Sequence, residues 1–219
     1  MLNLVWDLDG TLIDSREEVF ACIDLAMAQV GIDRTRMTSE IRVGPTIDRM
    51  LRLAFPASEL DGGRLDAAVA AFRKFYDGSD FARTTAFPGI AELVTKFTSY
   101  RHYIVTNKPD APSWSILRKL GWERSICRLL TPDTLPNPVR KSKEELFTEL
   151  LRSEGLDPSQ TLGIGDMKAD ATAAQQAGIR AIGVLWGNGT ARELSICDHL
   201  CRSVPELSDL LKELCQKSS

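Results

Sequence analysis

Asn3-Leu4-Val5-Trp6-Asp7-Leu8-Asp9-Gly10-Thr11-Leu12 is the stretch from which the rest of the chain is read. An apolar run that ends in two aspartates, a glycine and a threonine reads as a buried strand whose last side chains spill into a turn. Side chains alternate along a strand, so Asp7 and Asp9 fall on one side and face one small volume. That arrangement is costly: two carboxylates about 4 Å apart repel by roughly 4 kcal/mol at an effective dielectric near 20. A fold retains such a pair where a cation or a reaction uses it.

Working outward, Ser15 with Glu18 matches a helix-opening capping box, and Val19, Ile23, Ala26 and Val30 follow at helical spacing as far as Gly31. Beyond Ile41-Arg42-Val43-Gly44-Pro45-Thr46, the positions of Ile47, Met50, Leu51 and Leu53 predict a second helix. Leu65, Val69, Phe72 and Tyr76 predict a third. No strand is predicted from Ser15 to about Arg83. The texture changes at Phe87-Pro88-Gly89. A short helix with Leu93, Val94 and Phe97 precedes the strand His102-Tyr103-Ile104-Val105-Thr106, which again ends in polar groups, Asn107-Lys108. A helix from Ser113 to Leu120, a strand around Cys127 to Leu130 and a proline-bearing loop from Thr131 to Arg140 come next. A second capping box, Ser142 with Glu145, opens a helix carrying Leu146, Phe147, Leu150 and Leu151. Thr161-Leu162-Gly163-Ile164-Gly165-Asp166 is a third strand with an acid at its end. A small-residue helix from Ala169 to Ala177, a strand from Arg180 to Leu185 and a last helix capped by Ser203 with Glu206 complete the pattern.

Strands alternating with helices predict an α/β fold with a doubly wound parallel sheet. In such sheets ligands bind beyond the carboxyl ends of the strands, at the point where strand order reverses. The polar strand endings at Asp7, Thr106 and Asp166 are therefore expected to converge. Residues 1-14 and 84-219 are read as the α/β core, and 15-83 as an inserted helical cap over the site.

Composition narrows the partners. A net charge of -3, from 30 acidic and 27 basic residues among 219, gives no global attraction for a nucleic acid polymer or an anionic membrane. Five cysteines, odd in number and scattered, suit free thiols in a reducing cytoplasm better than a disulfide framework. Cys197, His199 and Cys201 lack a second ligand pair at zinc spacing and read as a half-buried segment. With no basic leader and no membrane-spanning apolar run, the expectation is a cytoplasmic protein without a membrane partner. Monomer and homodimer both remain open.

These motifs resemble the haloacid dehalogenase-like hydrolase superfamily over nearly the whole chain. Its DxDGT signature is met by Asp7, Asp9, Gly10 and Thr11, its strand ending in threonine by Thr106, and its GDxxxD by Gly165, Asp166 and Asp170. The resemblance implies phosphoryl transfer with Asp7 as nucleophile, forming an aspartyl phosphate, and Asp9 as general acid and then base. It implies Mg2+ held by Asp7, the backbone carbonyl of Asp9 and Asp166, with Asp170 orienting a bound water. Gly10, Thr11, Thr106 and Asn107 would hold the phosphate. For the family's phosphate-neutralising lysine, Arg140-Lys141-Ser142-Lys143-Glu144-Glu145 offers two candidates. With Ser142 as N-cap, Lys143 takes the first helical position and is preferred; Lys141 is the alternative. Met167-Lys168 departs from the family, which often has a small hydroxyl residue after the Gly-Asp. In the cap, Arg42, Gly44 and Arg49 are candidate substrate contacts, a solvated helix face being the competing reading for Arg42, Arg49 and Arg52.

Within the superfamily, a second acid at Asp9 suits phosphoryl chemistry, since dehalogenation has no alkoxide to protonate. The Thr-Asn-Lys ending, Pro88-Gly89 and Trp186-Gly187 look like the phosphoglycolate phosphatase group. The expected function is Mg-dependent hydrolysis of a small phosphorylated metabolite. A beta-phosphoglucomutase-like sugar-phosphate mutase, a pyrophosphatase and a nucleotidase are the alternatives. A phosphate-accepting regulatory module is the non-enzymatic alternative, and it leaves Asp9 and the cap without a role.

Overall fold

The N-terminal apolar run forms β1 (Leu2–Trp6), in which every residue is buried, as befits a strand with neighbours on both sides of it. The computed structural model describes residues 1–96, 100–133 and 141–217. Its chain forms two compact units, one from Met1–Asp14 with Ala86–Ser219 and one from Ser15–Thr85.

After β1 comes the short β2 (Ile13–Asp14), then the helical unit with α1 (Arg16–Gln29), α2 (Ile47–Ala54) and α3 (Arg64–Asp77). The chain continues through β3 (Thr85–Ala86), α4 (Ile90–Lys96), β4 (Tyr100–Val105), α5 (Asp110–Lys119) and β5 (Ile126–Leu130). It then runs through α6 (Lys143–Glu154), β6 (Thr161–Gly165), α7 (Lys168–Gln176), β7 (Arg180–Val184), β8 (His199–Cys201) and α8 (Val204–Lys217). Six strands form one sheet in the order β5-β4-β1-β6-β7-β8, with every adjacent pair parallel. This is the α/β architecture expected from the alternation. The chain steps outward from β1 through β4 to β5, crosses over, and then steps the other way from β6 through β7 to β8. Strand order therefore reverses between β1 and β6, and Asp7 and Asp166 are the residues that follow those two strands. The Asp7 amide donates to the Ile164 carbonyl at 2.9 Å, so the two chain ends stay in register.

One layer of the core joins Val5, Tyr103 and Val105 of the sheet to Leu146, Phe147 and Leu150 of α6 and Ala171, Ala173 and Ala174 of α7. Full burial of a side chain such as Phe147 contributes about 1.5–3 kcal/mol. The small residues of α7 have a reason: a Cβ on Gly163 would lie 2.6 Å from the Cβ of Ala174, so α7 lies tight on β6. Trp6 Nε1 donates to His102 Nδ1 at 3.1 Å, which satisfies a buried indole within the strand pair β1–β4.

In the helical unit, Phe72 stacks on Tyr76 at 5.1 Å and Tyr76 meets Phe81 edge-on at 5.3 Å. The Ser15–Glu18 capping box does not form. Ser15 has φ −111° and ψ 7° and makes no capping bond, while the buried Glu18 accepts from the Ser79 hydroxyl at 2.6 Å and the Arg83 amide at 2.9 Å. A buried carboxylate needs hydrogen-bond donors, and those loop groups supply them. Helix α5 starts at Asp110 and not at Ser113, because Pro112 falls in the first turn, where its missing N–H has no intrahelical partner to lose. Strand β8 was not foreseen; three residues are too few to show a period. Phe97 and the loop 134–140 lie outside the described residues. Among the described residues no helix is long and apolar enough to cross a membrane.

Candidate active site

At the end of β1, Asp7 and Asp9 are 5% and 8% exposed. The turn that follows is tight: the Leu8 carbonyl accepts from the amides of Thr11, Leu12 and Ile13 at 3.4, 3.0 and 3.1 Å. Gly10 makes the turn at φ +82°, and a Cβ there would lie 2.2 Å from Asp166 Oδ2 and 2.7 Å from Asn188 Nδ2. Only glycine meets both the backbone conformation and the close approach. Thr11 donates its hydroxyl to Asp166 Oδ1 at 3.3 Å, a contact within the protein beside the phosphate role expected of it.

Asp7, Asp166 and Asp170 are all buried, and one carboxylate oxygen from each lies within 4.8 Å of the other two. Lys143 Nζ reaches Asp7 Oδ1 at 2.8 Å and Asp170 Oδ1 at 2.5 Å. Its placement follows from the helix start. The Ser142 hydroxyl accepts from the Glu145 amide at 3.3 Å and the Glu145 carboxylate from the Ser142 amide at 2.8 Å, which makes Lys143 the first residue of α6. Asp170 is held in turn, its Oδ2 accepting from the Met167 amide at 2.8 Å. Gly165 lets it come close, since a Cβ there would be 2.3 Å from the Asp170 Cβ. Lys141 does not join the cluster; its Nζ lies 3.4 Å from Glu145 Oε1 in an exposed pair.

Three carboxylates around one ammonium leave the cluster short of positive charge. Burial, aided by Asp170 and opposed by Lys143, raises the Asp7 carboxyl from 3.8 to about 7. Burial, Asp170 and Asp7 together hold Asp166 well above the carboxylate range. For Lys143, burial works to lower the pKa, but Asp170 and Asp7 outweigh it and raise it, so the ammonium stays charged. Such a cluster suits a hard divalent cation, which prefers oxygen donors and supplies the missing charge.

Thr106 is buried beyond β4, and its hydroxyl oxygen accepts the Lys108 amide at 3.2 Å. Asn107, beside it, is half-buried. Lys108 itself went unassigned in the sequence, although it belongs to the Thr-Asn-Lys ending. Its Nζ lies 3.0 Å from Asp9 Oδ1, with both side chains buried. Asn188 was also missed: its amide donates to Asp166 Oδ2 at 2.6 Å and its side chain to the same oxygen at 3.4 Å. Gly187 and Gly189 bracket it, and a Cβ on either would fall within 2.3 Å of an Asp166 atom. The available signal was the Trp186-Gly187-Asn188-Gly189 composition after β7. Trp186 Nε1 donates to the Thr11 carbonyl at 3.0 Å, tying that loop to the first turn.

Arg42, Gly44 and Arg49 belong to the helical unit, where both arginines are exposed and Gly44 is half-buried at φ +132°. The thiols of Cys197 and Cys201 are pushed up to about 11, chiefly by burial, and so stay protonated.

The fold and this cluster define a hydrolase of the haloacid dehalogenase type. The profile of the haloacid dehalogenase-like hydrolases matches residues 4–184, and the chain belongs to that family. A 5'-nucleotidase of Pseudomonas aeruginosa is 31% identical over 215 residues, spanning 96% of this chain and 95% of that protein. A phosphoglycolate phosphatase of Xanthomonas campestris is 27% identical over 196 residues, spanning 84% and 83%. With relatives of this kind along most of its length, the chain is a phosphoric monoester hydrolase. A solved haloacid dehalogenase-like family protein from Streptococcus pneumoniae, 22% identical, superposes with a TM-score of 0.76 over 97% of this chain and 98% of its own. At that identity the likeness concerns the fold.

Proposed function

We propose that the protein hydrolyses a small phosphomonoester through a covalent intermediate on Asp7, with Mg2+ held by Asp7, Asp166 and the Asp9 carbonyl. The observation that carries this reading is the Lys143 ammonium lying between Asp7 and Asp170 inside a buried cluster that also holds Asp166. The ion supplies charge neutralisation that lets an anionic phosphate enter an acidic site. Asp7 attacks phosphorus in line; the bond from phosphorus to the ester oxygen breaks, and Asp9 gives that oxygen its proton. Asp9 then takes a proton from the water that attacks the phosphoenzyme, which frees Asp7 and inorganic phosphate. Lys143 holds the nucleophile in place and balances the phosphoryl charge, and Asp170 holds Lys143. Thr106, Asn107 and the turn amides at Gly10 and Thr11 bind phosphate oxygens.

Phosphoglycolate is the leading substrate and nucleoside 5'-monophosphates the second reading, the latter favoured by the 31% identical nucleotidase. The helical unit serves as the cap in this proposal, with Arg42, Gly44 and Arg49 as its candidate contacts to the leaving group. The reaction takes place in the cytoplasm, where the five free cysteines remain reduced. Phosphate release from phosphoglycolate, 5'-mononucleotides, sugar phosphates and pyrophosphate with Mg2+ tests the reading, with Asp7→Asn and Asp9→Asn alongside. Equal inactivity of wild type and both variants on the whole panel would sink it; isomerised product from a sugar phosphate would favour the mutase.

A further inference from the structure

The two strand-end acids are served by different lysines. Lys143 meets Asp7 and Asp170, whereas Lys108 meets Asp9 Oδ1 at 3.0 Å. The Lys108 side chain is 4% exposed and that of Asp9 11%. A lysine buried to this degree needs an oxygen partner that replaces the hydration its ammonium loses. The chemistry assigned to Lys143 has no need of a second cation at this place, so Lys108 calls for its own explanation.

We infer that Lys108 is a positioning residue for Asp9, fixing its carboxyl group where the proton passes to the leaving oxygen. This rests on the reading of Asp9 as general acid and base. Asp9 sits on the turn beyond β1, where a bridge joins it to Ile13. Asp9 and the buried Asp7 repel one another. Lys108 counters that from a rooted position. Its amide is bonded to the Thr106 hydroxyl at 3.2 Å, and Thr106 in turn donates its amide to the Leu130 carbonyl at 3.1 Å. The ammonium thus hangs from the end of β4, and it gives Asp9 an anchor that Asp7 does not share. Lys108 exchanges no proton in the reaction; the proton moves between Asp9, the leaving oxygen and the attacking water.

A residue acting through the general acid matters in proportion to the leaving group's need for a proton. The test compares kcat/KM for phosphoglycolate, whose alkoxide needs one, with p-nitrophenyl phosphate, whose phenolate leaves without one. Wild type, Lys108→Met, Lys108→Arg and Asp9→Asn are assayed with Mg2+ present. Lys108→Met is expected to lose about 10²-fold on phosphoglycolate, mostly in kcat, and at most a few-fold on the aryl ester. Lys108→Arg is expected to recover most of the loss. Asp9→Asn should show the same selectivity in larger measure. Equal losses on both esters would mean that Lys108 is merely structural, and a rise in KM with kcat unchanged would mean that it binds substrate; either overturns the inference while Asp9→Asn still discriminates. If Asp9→Asn itself shows no discrimination, the proton-shuttle reading falls and takes the inference with it. Should the methionine variant not fold, Lys108→Gln, which keeps a donor for the carboxylate, is expected to lose less than Met but with the same selectivity.

Discussion

A carboxylate in a buried cluster is defined by which cation reaches it, and at the scale of the residue that divides Asp7 from Asp9. Asp7, the proposed nucleophile, lies in the group short of charge, and Lys143 at 2.8 Å fixes the orientation of its carboxyl group. Asp7→Asn keeps the shape and removes the proposed nucleophile, so turnover should fall by about 10⁴-fold or more, measured as phosphate release, while far-UV circular dichroism stays unchanged. The two lysines flanking Ser142 make a sharper contrast. Lys143→Ala leaves Asp7 and Asp170 without their ammonium and is expected to cost about 3–5 kcal/mol in urea unfolding of the metal-free protein. It should also cost at least about 10²-fold in phosphate release. Lys141→Ala removes an exposed pair and should change stability by less than about 0.5 kcal/mol, with activity intact. The family resemblance together with the helix cap led to Lys143, because a cap fixes where a helix begins. It could not lead to Lys108, because the partner that gives that lysine meaning stands 99 residues earlier in the chain (108 − 9) and only the β1–β4 pairing brings the two together.

At the scale of the element, the ends of strands and helices carry the chemistry, and their interiors carry the packing. The start of α6 shows the coupling most directly, since the Ser142–Glu145 box fixes the first turn on which Lys143 stands. Ser142→Ala should cost about 1 kcal/mol in urea unfolding and also lower phosphate release, because Lys143 loses its fixed origin. Ser203→Ala is the control: its hydroxyl accepts the Glu206 amide at 3.3 Å at the start of α8, so a similar cost is expected with no loss of activity. The same sequence pattern at Ser15 and Glu18 makes no box, which shows what a local motif omits. Glu18 finds donors in residues far along the chain, and tertiary satisfaction overrides the local pairing. The long strands were legible because apolar runs ending in Asp or Thr are unusual. The strand His199–Cys201 was not, since three residues show no period and it is recognised by its pairing with β7.

For the molecule as a whole, the cluster is expected to make stability depend on pH and, with the proposed Mg2+, on the cation as well. The folded Asp7 carboxyl is raised from 3.8 to about 7, and Asp166 is raised in the same sense, in each case first by burial. A raised acid means that the folded state binds more protons than the unfolded state between those two values, so stability falls with pH across that window. The contribution of Asp7 is full below about pH 4 and is lost as pH rises through about 7, and Asp166 acts in the same direction. A cation that binds only the folded state adds RT ln(1 + [L]/Kd), about 2.7 kcal/mol at a hundred times Kd, and it must displace those same protons. The Mg2+-induced rise in Tm should therefore be small near pH 5 and larger near pH 8, compared in each case with the protein in EDTA. Asp166→Asn relieves the repulsion without removing the nucleophile. It should melt higher than wild type in EDTA near pH 8 and show little response to Mg2+. A wild-type Tm that ignores Mg2+ at both pH values would argue against a metal site at these carboxylates, whatever the enzyme's activity; a response equal at both would argue instead that Asp7 and Asp166 are already ionised in the metal-free fold.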